Sequence, residues 1–449
     1  MLACQAINYE HPMVDFRNNE SGHGLPREDD PPAISLVQRG NLKSLETTLR
    51  KQWRLGQNIV LCWSADERGL LVILVPHYFL GNYCAHPGVD GSDNEQFVRE
   101  LIAGTRRKSR EELFDIAKRL DVAPSFVKLN TALSESPGVL AAVEQLIKRY
   151  GLGYVECRGV LLFDIAEFSL FTPFEQASQL NSLSYSMNSA YNKLQAQGVD
   201  INFARTTTGD GYYVWNRDMG AFASQDLFSF LLLVVADNAV ARAASRGNTV
   251  PVIRSAYHAG SHYELYQAEG VNPTVFSYIV GDVTIDLARM VDRARPHQIL
   301  VGDFITEIRT HSSEGLNTAT LHSPGFVKHC NSQLGVVRGV QLSNKSIAGM
   351  RCRLSGEDDS GERRAARRFK ITDKHGLSRH AYNLQLTIEL EDQTLELGLD
   401  ESELPTQDEQ PSERDDRSAQ ARRSVTADEV IDDLANILHK RPSGSVSED

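Results

Sequence analysis

Apolar residues along this chain recur with two periods, and the switch between them outlines the fold. Residues 58–64 and 69–77 read as two strands around the polar turn Ala65-Asp66-Glu67-Arg68. Residues 111–120 and 139–150 carry apolar positions at helical spacing and predict amphipathic helices. Residues 160–163 form a continuous apolar run, the pattern of a buried strand, and Asp164 ends it. A helix follows Pro173, with Phe174, Ala177, Leu180, Met187, Ala190, Tyr191 and Leu194 along one face, and Gly198 stops it. Residues 199–205 and 212–215 predict strands flanking Thr207-Thr208-Gly209-Asp210-Gly211, a hairpin with the glycines its turn needs. A further helix ends near Gly247, a strand covers 251–258, Gly281 opens a helix over 282–294, and a strand begins at 299–301. The order β-α-β-β-α-β predicts an α+β fold of the ferredoxin-like, split βαβ kind, a sheet with antiparallel pairs covered by helices.

Around this middle region, residues 155–310, the pattern suggests additional N-terminal and C-terminal α/β domains. Residues 1–32 read as a flexible leader. Residues 33–150 read as a domain without a chemical motif. Residues 315–399 are mostly strand-like, most clearly at 381–391. Residues 400–449 read as an acidic linker and a short terminal helix. That helix opens on a capping box, Thr426 and Glu429, and carries Val430, Ile431, Leu434, Ile437 and Leu438 as its apolar stripe. A length of 449 residues fits about three domains.

Composition narrows the function. The longest apolar run, residues 230–236, is far shorter than the roughly 20 residues that cross a bilayer, so no membrane association is expected. A formal net charge of −12 argues against a general nucleic-acid binder. Six cysteines lie far apart with no C-x-x-C, which predicts reduced thiols and a cytoplasmic protein rather than disulfides or a zinc site.

Two aspartates draw the chemistry together. Asp164 ends the first strand of the middle region, and Asp210 sits in the hairpin turn before the third. In a split βαβ sheet those strands are neighbours, so the two carboxylates can meet at one sheet edge. Paired carboxylates are what hard divalent cations need near a triphosphate. The backbone amides after Asp164 lead toward a helix and can cradle phosphate oxygens. Taken singly, each aspartate would read as a turn former or helix cap.

The surrounding residues strengthen the functional reading. Phe163-Asp164-Ile165-x-x-Phe168-Ser169 resembles the opening motif of class III adenylyl and guanylyl cyclases. Thr208-Gly209-Asp210-Gly211-Tyr212-Tyr213 resembles their second metal motif. Arg254-Ser255-Ala256-Tyr257-His258-Ala259-Gly260 is similar to their R-x-x-x-H-x-G strand. The segment from Gly281 to Met290 resembles their G-x-x-V-N-x-A-x-R-[LM] helix, and Pro296-His297-Gln298-Ile299-Leu300-Val301 the strand after it. The five motifs stand in order over about a third of the chain.

The resemblance implies a homodimeric enzyme that closes a nucleoside triphosphate into a 3′,5′-cyclic nucleotide with two divalent metal ions, Mn²⁺ or Mg²⁺. It implies Asp164, Asp210 and the backbone carbonyl of Ile165 as metal ligands. Phe168 and Ser169 would hold the triphosphate, and Arg289 would be the transition-state arginine. His258 reads as a packed strand residue, and His262 has no assigned role.

Departures from the family pattern bear on the substrate. Thr206 and Tyr278 stand where the family places its purine-selecting residues, and neither matches. Ile285 replaces the asparagine that orients the ribose; Asp286, next to it, points about 100° away on a helix. A tyrosine at 278 shrinks the pocket toward a pyrimidine, which resembles the pyrimidine cyclases of the bacterial Pycsar antiphage system. Their product, cyclic UMP or cyclic CMP, would act on a downstream effector protein. The stretch from Ile371 to Asn383 is also similar to a sensor domain found after some defence cyclases. Two alternatives stand beside this: a purine cyclase with an atypical base pocket, and a catalytically degenerate domain that only binds and regulates.

Overall fold

The computed structural model describes residues 34–54, 56–84, 91–268, 275–312, 315–357, 365–372 and 376–404. The expected leader, the terminal helix at Thr426 and part of the 371–383 stretch lie outside the described residues.

The N-terminal portion runs α1 (Leu36–Trp53), β1 (Asn58–Asp66), β2 (Gly69–Pro76), α2 (His77–Cys84), α3 (Gly91–Ala103), α4 (Arg110–Arg119), β3 (Ser125–Lys128) and α5 (Pro137–Arg149). Its three strands form an antiparallel sheet in the order β1-β2-β3. Alternate residues of β1 and β2 serve two cores. Val60, Trp63, Leu70 and Val72 meet α1 and α5 on one face, while Ile59, Leu61, Leu71 and Ile73 meet α3 and α4 on the other. α4 is opened by a capping box in which Ser109 and Glu112 satisfy each other's backbone amides.

The middle portion follows as β4 (Leu152–Ile165), α6 (Pro173–Ala196), β5 (Phe203–Thr207), β6 (Gly211–Asn216), α7 (Ala223–Ala244), β7 (Ile253–Ala268), β8 (Val275–Val280), α8 (Asp282–Arg293) and β9 (Ile299–Gly302). The chain then continues through β10 (Ile305–Ser312), β11 (Gly315–His322), α9 (Ser323–Gln333), β12 (Gln341–Leu342), β13 (Lys345–Leu354), β14 (Arg368–Thr372), β15 (Ser378–Leu390) and β16 (Thr394–Leu397). The predicted split βαβ order is present: β7, β4, β6 and β5 lie side by side, each antiparallel to its neighbour. β9 adds parallel to β7, and β15 pairs antiparallel with β9.

β15 therefore carries the C-terminal strands into the central sheet. The described residues up to Leu399 form one compact unit. The reason is visible in β15. Its positions 381–388 are buried on both faces, which requires it to sit inside a sheet with partners on either side.

Each face of the central sheet has its own core. Leu161, Phe163 and Ile165 of β4 face α6, α7 and α9, where Tyr257 stacks on Phe326. Val160 and Leu162 face the opposite way, toward Val283, Leu287 and Met290 of α8. α7 is apolar nearly all round and long enough, by length and composition, to cross a membrane, which the shorter run 230–236 did not suggest. Here it packs on the sheet, and Phe228, Phe230 and Leu231–Val234 are fully buried.

Other differences have local causes. β4 and β7 extend well beyond their apolar runs as a ribbon with a bulge between Val155 and Arg158, and β8 pairs with the outer part of β7. The polar outer half of that ribbon shows no alternation in sequence. Residues 323–333, predicted mostly strand, form α9: Pro324 sits in its first turn, and Phe326, Val327 and Cys330 are its buried positions. That apolar set is too short to stand out from the strands on either side.

Candidate active site

The sheet itself brings the two aspartates together. In the β4–β6 register Asp164 lies opposite Gly211, and the Ile165 amide donates to the Asp210 carbonyl at 2.9 Å. The turn that presents Asp210 holds Gly209 at a φ of 106°, a left-handed conformation that glycine tolerates. Its geometry is fixed by the Thr208 amide donating to Gly211 O at 3.0 Å and by Thr208 Oγ1 donating to Asp210 Oδ1 at 3.2 Å. Gly211 is required by close approach: a Cβ there would sit 1.9 Å from the Phe163 carbonyl oxygen.

A third charged residue completes the centre. Arg254 lies across from Asp164 in the β4–β7 register, and both its Nε, at 2.8 Å, and its Nη2 donate to Asp164 Oδ2. This ion pair was not assigned from the sequence. Arg254 lies within a recognised motif, but its role depends on a cross-strand register that one sequence does not give. Burial pushes the Asp164 carboxyl up to about 6; Arg254 opposes that rise, while the charges of Asp210 and Asp292 add to it.

Beyond Asp164 the chain turns tightly. The Ala166 amide donates to Val252 O at 2.9 Å, Glu167 takes a left-handed φ of 57°, and Phe168–Leu170 make one turn of 3-10 helix. Phe168 is half-buried and Ser169 exposed. Thr172 and Glu175 then form the capping box that starts α6.

The other predicted residues sit on β5, β8 and α8. Thr206, on β5, is half-buried and pairs with Tyr213 of β6, whose hydroxyl donates to Thr284 O of α8 at 2.9 Å. Tyr278 is 36% exposed on β8, opposite Leu265 of β7. Ile285, Arg289 and Asp292 recur on α8 at helical spacing, and Ile285 is 43% exposed. Asp286 and Asp282, the acids beside Ile285 on α8, are engaged elsewhere: Asp286 pairs with Arg379, and Asp282 accepts from Ser261 Oγ at 3.1 Å. The structure thus joins Asp164 with Arg254 directly and sets Asp210 in the turn beside them. It places Thr206, Tyr278, Ile285 and Arg289 on neighbouring elements.

The donor chemistry suits a hard divalent cation. Asp164 at the end of β4 and Asp210 in the turn between β5 and β6 are both oxygen donors, and both Arg254 contacts fall on one Asp164 oxygen, which leaves Oδ1 as a ligand. A carboxylate raised chiefly by burial, and further by a neighbouring carboxylate, gains from a cation between the two. Among the described residues no three His, Cys, Asp or Glu side chains cluster as a metal site, so backbone oxygens such as that of Ile165, or a substrate, would have to complete the shell.

No known family profile matches the sequence, and no curated protein does. Among solved structures, the chain is similar to the guanylate cyclase domain of RhGC from Catenaria anguillulae in complex with GTP. That match is at 13% identity over 38% of this chain and 97% of that one, with a TM-score of 0.27. It is also similar to the guanylyl cyclase Cya2, at 12% identity, 51% and 91% coverage and a TM-score of 0.30. A third similarity is to the adenylyl cyclase CyaB from P. aeruginosa, at 13% identity, 52% and 95% coverage and a TM-score of 0.28.

Proposed function

We propose that this chain is a nucleotidyl cyclase that converts a nucleoside triphosphate into a 3′,5′-cyclic nucleotide and pyrophosphate. The observation that carries this is the placement of Asp164 at the end of β4 next to the turn that presents Asp210, where the Ile165 amide donates to the Asp210 carbonyl, beside the tight turn at 166–170. Asp164, Asp210 and the Ile165 carbonyl would hold two divalent cations, Mn²⁺ or Mg²⁺. Such ions, when bound, neutralise phosphate charge and make the 3′-hydroxyl easier to deprotonate. Arg254 orients the Asp164 carboxylate. The backbone around Phe168 and Ser169 would face phosphate oxygens, and Arg289 would meet the charge that develops on them.

The substrate in this reading is a pyrimidine triphosphate, UTP or CTP. Thr206 has too short a side chain to reach a base as a lysine does, and Tyr278 fills volume while offering one hydroxyl. The protein would work in the cytoplasm as a homodimer, with the metals on one subunit and Arg289 and Tyr278 supplied by the other. Exposed Tyr278, Val280 and Ile285 support this by offering apolar surface beside α8. Its cyclic product would act on an effector protein in antiphage defence.

Incubation with each of the four triphosphates and Mn²⁺, with mass detection of products, tests the reading. Cyclic UMP or cyclic CMP is expected, with at least about tenfold preference over purines, the low end of what pocket size alone provides. Asp164→Ala and Asp210→Ala should each abolish the product. Turnover in either variant would overturn the metal assignment, and a preference for ATP or GTP would overturn the pyrimidine assignment. Mixed Asp210→Ala and Arg289→Ala subunits should regain activity, because each mixed dimer holds one complete site. No regain in demonstrated heterodimers would refute the shared site.

A further inference from the structure

We infer that Arg379, on the C-terminal strand β15, is a positioning residue that fixes α8, and with it Arg289, by gripping Asp286; its catalytic consequence rests on the cyclase reading above.

Three elements converge on the Asp286 carboxylate. Arg379 Nε donates to Oδ1 from β15. His258 Nε2, on β7, lies 3.4 Å from Oδ2. Asp286 itself belongs to α8. The His258 ring has little freedom. It is 8% exposed, edge-on to Phe304 at 5.6 Å, and pressed against Gly302, where a Cβ would lie 2.0 Å from Nδ1. Burial and the Arg379 charge push its pKa down to about 4, against Asp303, so at neutral pH it is an uncharged neighbour. The charge of Asp286 is thus answered by Arg379, with the neutral His258 ring beside it.

Arg379 is delivered on a well-anchored strand. Two residues on, Ala381–Leu384 pair with Gly302–Ile299 of β9. Asn383 is fully buried; it accepts from Gln298 Nε2 at 3.1 Å and donates to Ser355 Oγ and Leu399 O, each at 2.9 Å.

α8, by contrast, rests on the sheet mainly through Val283, Leu287, Met290 and Val291. Apolar packing of this kind resists removal of the helix more than it resists small rotation or sliding, because it is not directional. Directional holds on it include the Arg379–Asp286 pair, the bond from Tyr213 to Thr284 O and the bond from Ser261 Oγ to Asp282; of these the Arg379 pair lies nearest Arg289 along the helix. Asp286 precedes Arg289 by three residues, nearly one turn, so a shift at 286 is transmitted to the 289 guanidinium. A transition-state contact loses effectiveness with displacements of about 1 Å. The C-terminal strand therefore belongs to the site, although it supplies no atom to the reacting groups.

The test uses the full chain with Arg379→Gln, Arg379→Lys, Asp286→Asn and the charge-swapped pair Arg379→Asp/Asp286→Arg. Hydrogen exchange of Asp282–Arg293 is measured together with steady-state kinetics on the preferred triphosphate. Arg379→Gln and Asp286→Asn should each speed exchange in α8 by about tenfold or more, reflecting a looser helix. They should also lower kcat by about tenfold with KM changed by less than about threefold, the pattern of a contact made in the transition state. Arg379→Lys should recover part of both, and the swapped pair should recover α8 protection. Unchanged exchange in both single variants, or loosened α8 with unchanged kcat, would overturn the inference. If the wild-type protein cyclises no triphosphate, the cyclase reading fails by itself, and the exchange measurement still decides whether Arg379 holds α8.

Discussion

A methyl group at position 211 would collide with the Phe163 carbonyl at 1.9 Å, so the closeness of Asp164 and Asp210 depends on a residue with no side chain. Gly211→Ala should force β6 away from β4, cost about 2 kcal/mol of stability as overpacking does, and weaken Mn²⁺ binding measured by calorimetry. Unaltered metal affinity in a destabilised variant would mean that the pair tolerates the shift. At this scale the sequence was legible where a residue's meaning depends on its immediate neighbours. Asp164 at a strand end and Asp210 in a glycine turn could be picked out because strand order alone brings them together. Arg254 and Asp286 were not legible in the same way. Their partners lie at positions 164 and 379, and only the strand register, for Arg254, and the packing of α8 against β15, for Asp286, settle which side chains face each other.

Elements became legible in proportion to the contrast between their two faces. α8 has one apolar stripe and a glycine-marked start, and α6 a capped one; the bounds of both were readable to within a residue or two, although Phe174, read onto the apolar face of α6, is exposed and Gln179, Ser184 and Ser186 are buried. β8 and α9 were not, because β8 follows an extension of the β7 ribbon without an apolar run and α9 buries few positions. The contact between α6 and α7 holds one ionic link, Lys193 with Asp237, in which burial raises the carboxyl pKa against the pull of the lysine. Lys193→Met would leave that carboxylate with Ser189 but without its countercharge and should cost about 3 kcal/mol in chemical denaturation. Lys193→Met/Asp237→Leu should recover most of the loss. A double variant no better than the single would assign the cost to packing instead.

The whole molecule responds to acid through buried histidines. His258 and His262 both sit near 4, chiefly through burial, below the ordinary 6.5. For each, the unfolded chain takes up its proton first as pH falls, so the stability present above about 6.5 is lost on the way down to about 4. Asp164 and Asp226, both raised to about 6, act in the opposite sense over part of that window. His262→Gln removes one destabilising contribution, so from pH 7 to pH 4 its Tm should fall less than that of the wild type; an identical fall would clear His262 of the effect. The placement of β15 also has a bearing on how the chain is made. β9 emerges from synthesis early, yet the strand that covers its free side begins at Ser378. Until then the growing sheet presents an open edge able to pair with another nascent copy. Ribosomes that pause before codon 378 should therefore yield aggregates, and a chaperone that shields strand edges should matter most during that interval.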